Sequence, residues 1–160
     1  MNSRELLKRI QVLNRQGRYK IYRESVAAFC DAALESVGCK KRSLSVAFVA
    51  AKEMRSLNRR YLKRDYATDV LSFSYGSVKM DGNPFLGEIV VAPEVAFDQA
   101  RRFRISPEKE LKKLLVHGIL HLLGYDHATD QGQMNRFQRR LLRRNFFLNS
   151  ASLADLKVNR

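Results

Sequence analysis

All three histidines of the chain, His117, His121 and His127, fall in one stretch, HGILHLLGYDH, with the spacing H-x-x-x-H-x-x-G-x-x-H. Helix residues four apart lie on one face, so His117 and His121 present their imidazoles to a single ion. Gly124 stands where a helix ends on a residue tolerant of left-handed φ, and the turn through Tyr125 and Asp126 brings His127 back toward the first two. Imidazole suits zinc, copper, iron and nickel, and three protein ligands with an open fourth position make the ligand set of a catalytic rather than a structural zinc. The spacing therefore predicts one zinc-class ion per chain on His117, His121 and His127.

The pattern resembles the metal helix of the metzincin proteases, H-E-x-x-H-x-x-G-x-x-H, but Gly118 stands where those enzymes carry their glutamate general base. A metzincin-like metal helix without metzincin chemistry is the expectation. The glycine leaves room for a bulky substrate or for the backbone of a neighbouring strand. Asp126 reads either as a turn residue or as an acceptor for an N–H of a ligand or of the turn backbone. Glu88, on a strand that could pass the site, is a candidate general base.

Charge is the second strong signal. With 30 Lys and Arg against 16 Asp and Glu, the net charge is +14. Collected on one face, such an excess attracts polyanions through salt-dependent, sequence-independent contacts, which makes RNA or DNA the natural partner. Arg59, Arg60, Lys63 and Arg64 form one cluster. Arg136, Arg139, Arg140, Arg143 and Arg144 form another, close in sequence to the third histidine. Cys30 and Cys39 form no C-x-x-C pair and read as buried, reduced thiols, which with the absence of an export signal favours the cytoplasm. No segment reaches the apolar length of a membrane span, so no membrane partner is expected.

The elements that must position the histidines follow from periodicity. Residues 8–15 form a weak edge strand and Ile21 to Val37 an amphipathic helix ending at Gly38. Ser43 to Ala50 reads as a strand with Leu44, Val46 and Phe48 on one face. Ala51 to about Leu62 is a short helix with Met54, Leu57 and Tyr61 as its buried stripe. VLSFSY and FLGEIVVA, joined through Asp81-Gly82-Asn83-Pro84, suggest a hairpin. Pro93 opens a helix with Val95, Ala96, Gln99 and Ala100 inward. Ser106-Pro107-Glu108 opens the histidine helix, which is apolar on nearly every face from Leu114 to Leu123 and so belongs in the middle of the core. A last helix runs from about Gln131 to Leu142 with Met134, Phe137 and Leu141 on one side. The chain is expected to form one domain over 1–160, α+β or α/β and layered around one sheet, with 148–160 as a loose tail.

Leu57-Asn58, Thr68-Asp69-Val70-Leu71-Ser72-Phe73, Leu86-Gly87-Glu88-Ile89, Gln99-Ala100 and above all HGILHLLGYDH followed by Met134 make the chain similar to the YbeY family of metal-dependent endoribonucleases. The resemblance implies an α+β fold with a small mixed sheet flanked by helices and one Zn2+ on His117, His121 and His127. It also implies single-strand-specific cleavage in 3′-end maturation of small-subunit (16S) ribosomal RNA and in ribosome quality control. The ribosomal small subunit and its RNA are then the partners, with no small-molecule cofactor beyond the metal. The family's arginine after the tyrosine is replaced by Leu62, which leaves Arg60, Lys63 and Arg64 as the neighbouring candidates to supply that charge. Gln138 stands where the family often has glutamate, and Ala67 where it has proline; neither is expected to touch the metal. Catalytic candidates are Arg60, Arg64 and Glu88, and RNA-binding candidates Arg59, Arg60, Lys63, Arg64, Arg136, Arg139 and Arg140. The rival readings are a non-catalytic RNA-binding assembly factor with a structural zinc, and a zinc protease.

Overall fold

The computed structural model describes residues 1–126, 129–148 and 151–157, the side chains of 145–148 excepted. A mixed sheet is built from β1 (Ile10–Asn14), β3 (Ser43–Phe48), β6 (Asn83–Val91) and β4 (Val70–Phe73), in the order β1-β3-β6-β4. β1 and β6 run parallel to β3, β4 is antiparallel to β6, and the short β5 (Lys79–Met80) also pairs with β6. The hairpin expected from VLSFSY and FLGEIVVA is present as the β4–β6 pair.

Alternation along the strands divides the apolar residues between two faces. Leu44, Val46 and Phe48 of β3 and Ile89 and Val91 of β6 join the larger core, with α2 (Arg23–Ser36) and α5 (Pro107–Leu122). Ala47, Val49, Leu71, Val90 and Ala92 join a smaller core with Met54 of α3 (Ala51–Leu62). Every residue of β3 is buried. This is the burial expected of a central strand with parallel neighbours and both faces covered. The mixed sheet between helices is the α+β architecture anticipated from the sequence.

Caps explain several boundaries. Pro107 occupies the first turn of α5 and Ser106 Oγ accepts from Lys109 N at 3.4 Å. Pro93 similarly opens α4 (Pro93–Arg102). At the other end of α5 the N–H groups of Gly124 and Tyr125 return to the carbonyls of His121 and Leu120, with Gly124 at φ +95. The sequence reading missed α1 (Ser3–Arg9), whose capping box joins Asn2 and Glu5 by reciprocal bonds. Charges scattered through MNSRELLKRI hid it, although Arg9 is buried against Asp31 and the carbonyl of Arg42.

Three further expectations need correction. Tyr61 is not in the buried stripe of α3 but 53% exposed, and Asn58 is buried instead, donating from Nδ2 to Tyr66 O at 2.9 Å. On α4 the inward residues are Pro93, Ala96, Phe97 and Ala100; Val95 and Gln99 lie at the margin. The tail does not fray at 151–157. Leu153 is fully buried, its N–H donates to Glu108 Oε1 at 2.8 Å, and β7 (Ala154–Asp155) pairs with β2 (Lys20–Ile21). The local sequence carries no sign of this because both bonding partners come from distant elements.

Cys30 is fully buried on α2, and burial pushes its thiol up to about 12. Between the ordinary thiol pKa of about 8.5 and that value, the folded state keeps a proton that the unfolded state releases. Stability from this group is therefore complete below about pH 8.5 and is lost as the pH rises toward 12. We expect a thiol reagent at neutral pH to modify the half-buried Cys39 and to spare Cys30 until denaturant is added. Peptide mapping of the labelled cysteine checks this, and early labelling of Cys30 would contradict the packing.

Candidate active site

α5 lies against β6 and β4, and the close approach depends on glycine. A Cβ built on Gly118 would sit 2.8 Å from Ile89 Cδ1 and 2.9 Å from its Cγ2. The room left by the glycine is thus taken by the side chain of Ile89, not by a substrate or by strand backbone as the sequence suggested. Gly87 on β6, at φ +147, allows a similar approach: a Cβ there would lie 2.4 Å from Phe73 O and 2.7 Å from Leu122 Cδ2.

This seating leaves His117 and His121 half-buried at the wall of a cleft of about 650 Å3. Their rings meet edge to face with centroids 4.5 Å apart. Facing them are Val70, Leu71, Ser72, Phe73 and Ser74 from β4 and its exit, and Tyr61, Leu62 and Arg64 from the end of α3. The i,i+4 pairing on one face is as the spacing predicts. His127 lies outside the described residues, and among those described no three or more His, Cys, Asp or Glu side chains are grouped so as to hold a metal ion.

His117 Nδ1 lies 3.2 Å from Gln138 Oε1. With that oxygen as acceptor, Nδ1 carries the proton and the lone pair of the ring is on Nε2, a tautomer assigned from the partner. Gln138 is buried on α6 (Gln133–Leu148), where Met134, Phe137, Gln138 and Leu141 form one inward face. Sequence reasoning set Gln138 aside as irrelevant to the metal, yet it orients a proposed ligand. The available signal was its phase, since an uncharged polar residue falls on the apolar stripe of an otherwise arginine-rich helix. Asp130 holds the start of α6, with its carboxylate accepting from Gly132 N at 2.7 Å and Met134 N at 3.0 Å. The carbonyl of Asp126 accepts from Asp130 N at 3.1 Å within the turn that follows α5.

The basic candidates separate. Arg64 lines the histidine cleft, as does Leu62 at the position of the missing family arginine. Arg60 stacks over the ring of Tyr61 at 5.5 Å. Lys63 ends α3 in the left-handed region at φ 58, and Arg59 remains on the exposed side of α3. Arg136 and Arg140 line a separate cavity of about 260 Å3 with Gln133 and Phe137, and Arg139 donates to Asn135 O within its own helix. Glu88 does not line the histidine cleft; it occupies a neighbouring cavity with Arg15 and Tyr75, two residues to which the sequence reading assigned no role.

The fold and site define a small α+β protein built around a histidine-bearing central helix that opens on a cleft lined mainly by apolar and hydroxyl side chains, with Arg64 at its wall. Residues 10–145 match the family model described as Endoribonuclease YbeY. Endoribonuclease YbeY of Aquifex aeolicus is 38% identical over 128 residues, covering 80% of this chain and 85% of that protein. The Syntrophus aciditrophicus counterpart is 33% identical over 141 residues, covering 87% and 88%. The solution structure of TM1509 from Thermotoga maritima superposes with a TM-score of 0.62 at 27% identity, covering 87% of this chain and 90% of that one. The chain belongs to the Endoribonuclease YbeY family, a family of hydrolytic nuclease enzymes.

The Gly118 contact has a measurable consequence. Gly118→Ala must push Ile89 aside and is expected to cost roughly 1–3 kcal/mol of stability by overpacking. Combined with Ile89→Ala, it should show a coupling of about 0.5–3 kcal/mol in urea melts, because the clash disappears with the isoleucine side chain. Strict additivity of the two losses would contradict the contact.

Proposed function

We propose that the chain is a metal-dependent endoribonuclease that cuts single-stranded RNA, acting in 3′-end maturation of small-subunit ribosomal RNA and in ribosome quality control in the cytoplasm. The observation that carries the reading is the His117–His121 pair, with His117 held by Gln138, placed on the wall of an open cleft that Arg64 also lines. Family membership supports the nuclease class. Among the described residues no helix is long and apolar enough to cross a membrane.

The donor chemistry fits a zinc-class ion. Two neutral imidazoles on one helix face are a half site, and a hydrogen bond to the other ring nitrogen is the usual means of fixing a ligand's tautomer. His117 and His121 would hold the ion together with His127. When bound, such an ion supplies Lewis acidity toward a phosphoryl oxygen and acidifies water toward a pKa of about 7. Arg64, with Arg60 beside it, would hold the phosphate backbone at the cleft without reading sequence. The exposed ring of Tyr61 offers an unstacked base a surface. A protease reading lacks its base, because position 118 lies buried under Ile89 and has no room for a carboxylate.

The test pairs cleavage of a single-stranded RNA, with and without chelator, with metal analysis and thermal melts. Loss of cleavage with the fold retained is expected, since the larger core has Leu115, Ile119 and Leu120 fully buried without help from the histidines. Unfolding on chelation would favour the structural-zinc reading instead. Gln138→Ala should weaken metal binding by roughly 10–100-fold while leaving one ion per chain at saturation.

Arg60→Ala with Arg64→Ala should flatten the salt dependence of RNA binding by about 1.4 units, at roughly 0.7 per phosphate contact. Slower single-turnover cleavage at saturating protein would assign these residues charge stabilisation as well as positioning. An unchanged slope would move the RNA path to the arginines of α6.

A further inference from the structure

Beside the histidine cleft, and sharing Tyr61, Phe73 and Ser74 with it, lies a second cavity of about 330 Å3. Its volume falls in the range of pockets for small organic groups, roughly 300–1,000 Å3. Tyr61, Phe73 and Tyr75 supply aromatic walls, and Arg15 and Glu88 supply the polar end. Tyr61 and Tyr75 are 53% and 49% exposed, which wastes apolar area that the fold could have buried. Both rings are nevertheless held in place. Tyr61 packs edge-on against Phe73 at 5.1 Å, and Tyr75 is stacked on Phe85, outside the cavity, at 5.8 Å.

The polar end is equally ordered. Tyr75 Oη donates to Glu88 Oε2 at 3.2 Å, Arg15 Nη1 donates to Glu53 Oε1 at 2.9 Å, and Arg15 Nη2 stands 3.9 Å from Glu88 Oε1. Arg15 reaches this place because β1 pairs in parallel with β3 and its own N–H donates to Phe48 O at 2.8 Å. A guanidinium is donor-only and an ionised carboxylate acceptor-only. Side by side they present the order donor, acceptor, acceptor.

We infer that this cavity is a nucleobase subsite that takes one unstacked base of the RNA strand, guanine in preference, between Tyr61 and Tyr75, with Arg15 and Glu88 reading its Watson–Crick edge. The inference rests on the ribonuclease reading and adds a specificity to it. Single-stranded RNA is recognised by bases stacked on aromatic side chains and hydrogen-bonded along their edges. Guanine presents O6, N1–H and N2–H in sequence, which complements Arg15 and the two Glu88 oxygens. Adenine and cytosine each place an acceptor next to their amino group, and that acceptor would face the carboxylate. Uracil offers one N–H between two carbonyls. Because the two cavities share a wall, a base here belongs to a nucleotide beside the phosphate lying in the histidine cleft.

The experiment measures binding by fluorescence anisotropy of labelled octauridylates in which one internal uridine is replaced by guanosine, adenosine or cytidine. The full chain is used at one salt concentration, and cleavage products of the same strands are mapped. The guanosine strand should bind about tenfold tighter than the others, as a bidentate base contact does, and be cut next to the guanosine. Glu88→Gln, which exchanges an acceptor for a donor, should reduce the guanosine strand to the affinity of the uridine strand. Arg15→Met should reduce the same advantage, and it serves as the independent variant if Glu88→Gln melts early. Tyr75→Ala should weaken all strands by roughly tenfold through lost stacking, whereas Tyr75→Phe should not. Equal affinity for the four strands, or a guanosine advantage that survives both Glu88→Gln and Arg15→Met, overturns the base assignment and leaves the ribonuclease reading standing. Failure of every strand to bind overturns the ribonuclease reading and the subsite with it.

Discussion

The close seating of α5 on β6, made possible by the missing side chain of Gly118 and filled by Ile89, is the constraint on which the rest of the structure depends. The contact brings the helix axis near the sheet, so the apolar residues of α5 meet Ile89, Val91 and the residues of β3 and α2 in one continuous core. With that face committed, His117 and His121 fall at the margin between core and cleft. Interiors pack to near-crystalline density and leave little slack. A displaced α5 would therefore move the histidines relative to β4 and the end of α3.

Polar contacts, two of them between distant elements and one a local cap, lock this arrangement from the C-terminal side. Gln138 on α6 meets His117, Asp130 caps α6, and Glu108 in the first turn of α5 accepts the N–H of Leu153. Leu153 in turn accepts from Tyr22 N, just before α2. The segments after the histidine motif thus act as clamps on the helix that carries it. Each bond satisfies a group at a helix end or a partly buried polar atom, where an unmet partner would cost about 1–3 kcal/mol.

Division of labour among the polar residues follows from where they stand. Cations at the cleft and on α6 face solvent, where screening limits each contact and the sum matters more than any single pair. Arg15 and Glu88 meet in a cavity bounded by aromatic rings, where direction counts for more than charge. Phosphate contacts place a strand, and base-edge contacts distinguish one strand from another.

The histidine spacing, the glycine stop, the Ser106-Pro107 start and the alternation of β3 were legible because each is set within one or two turns of chain. Neighbours three or four apart on a helix, or two apart on a strand, meet whatever the rest of the molecule does. The sequence by itself thus determined the central helix, the pairing of His117 and His121 on one helix face, the helix boundaries at Pro93 and Pro107, and the basic character of the surface. Only the tertiary structure decided that Ile89 occupies the space above Gly118, that Gln138 reaches His117, that Leu153 docks under α5, and that Arg15 joins Glu88 beside the cleft. Those contacts link residues far apart in the chain, and their geometry depends on strand order and helix seating, which local periodicity does not encode.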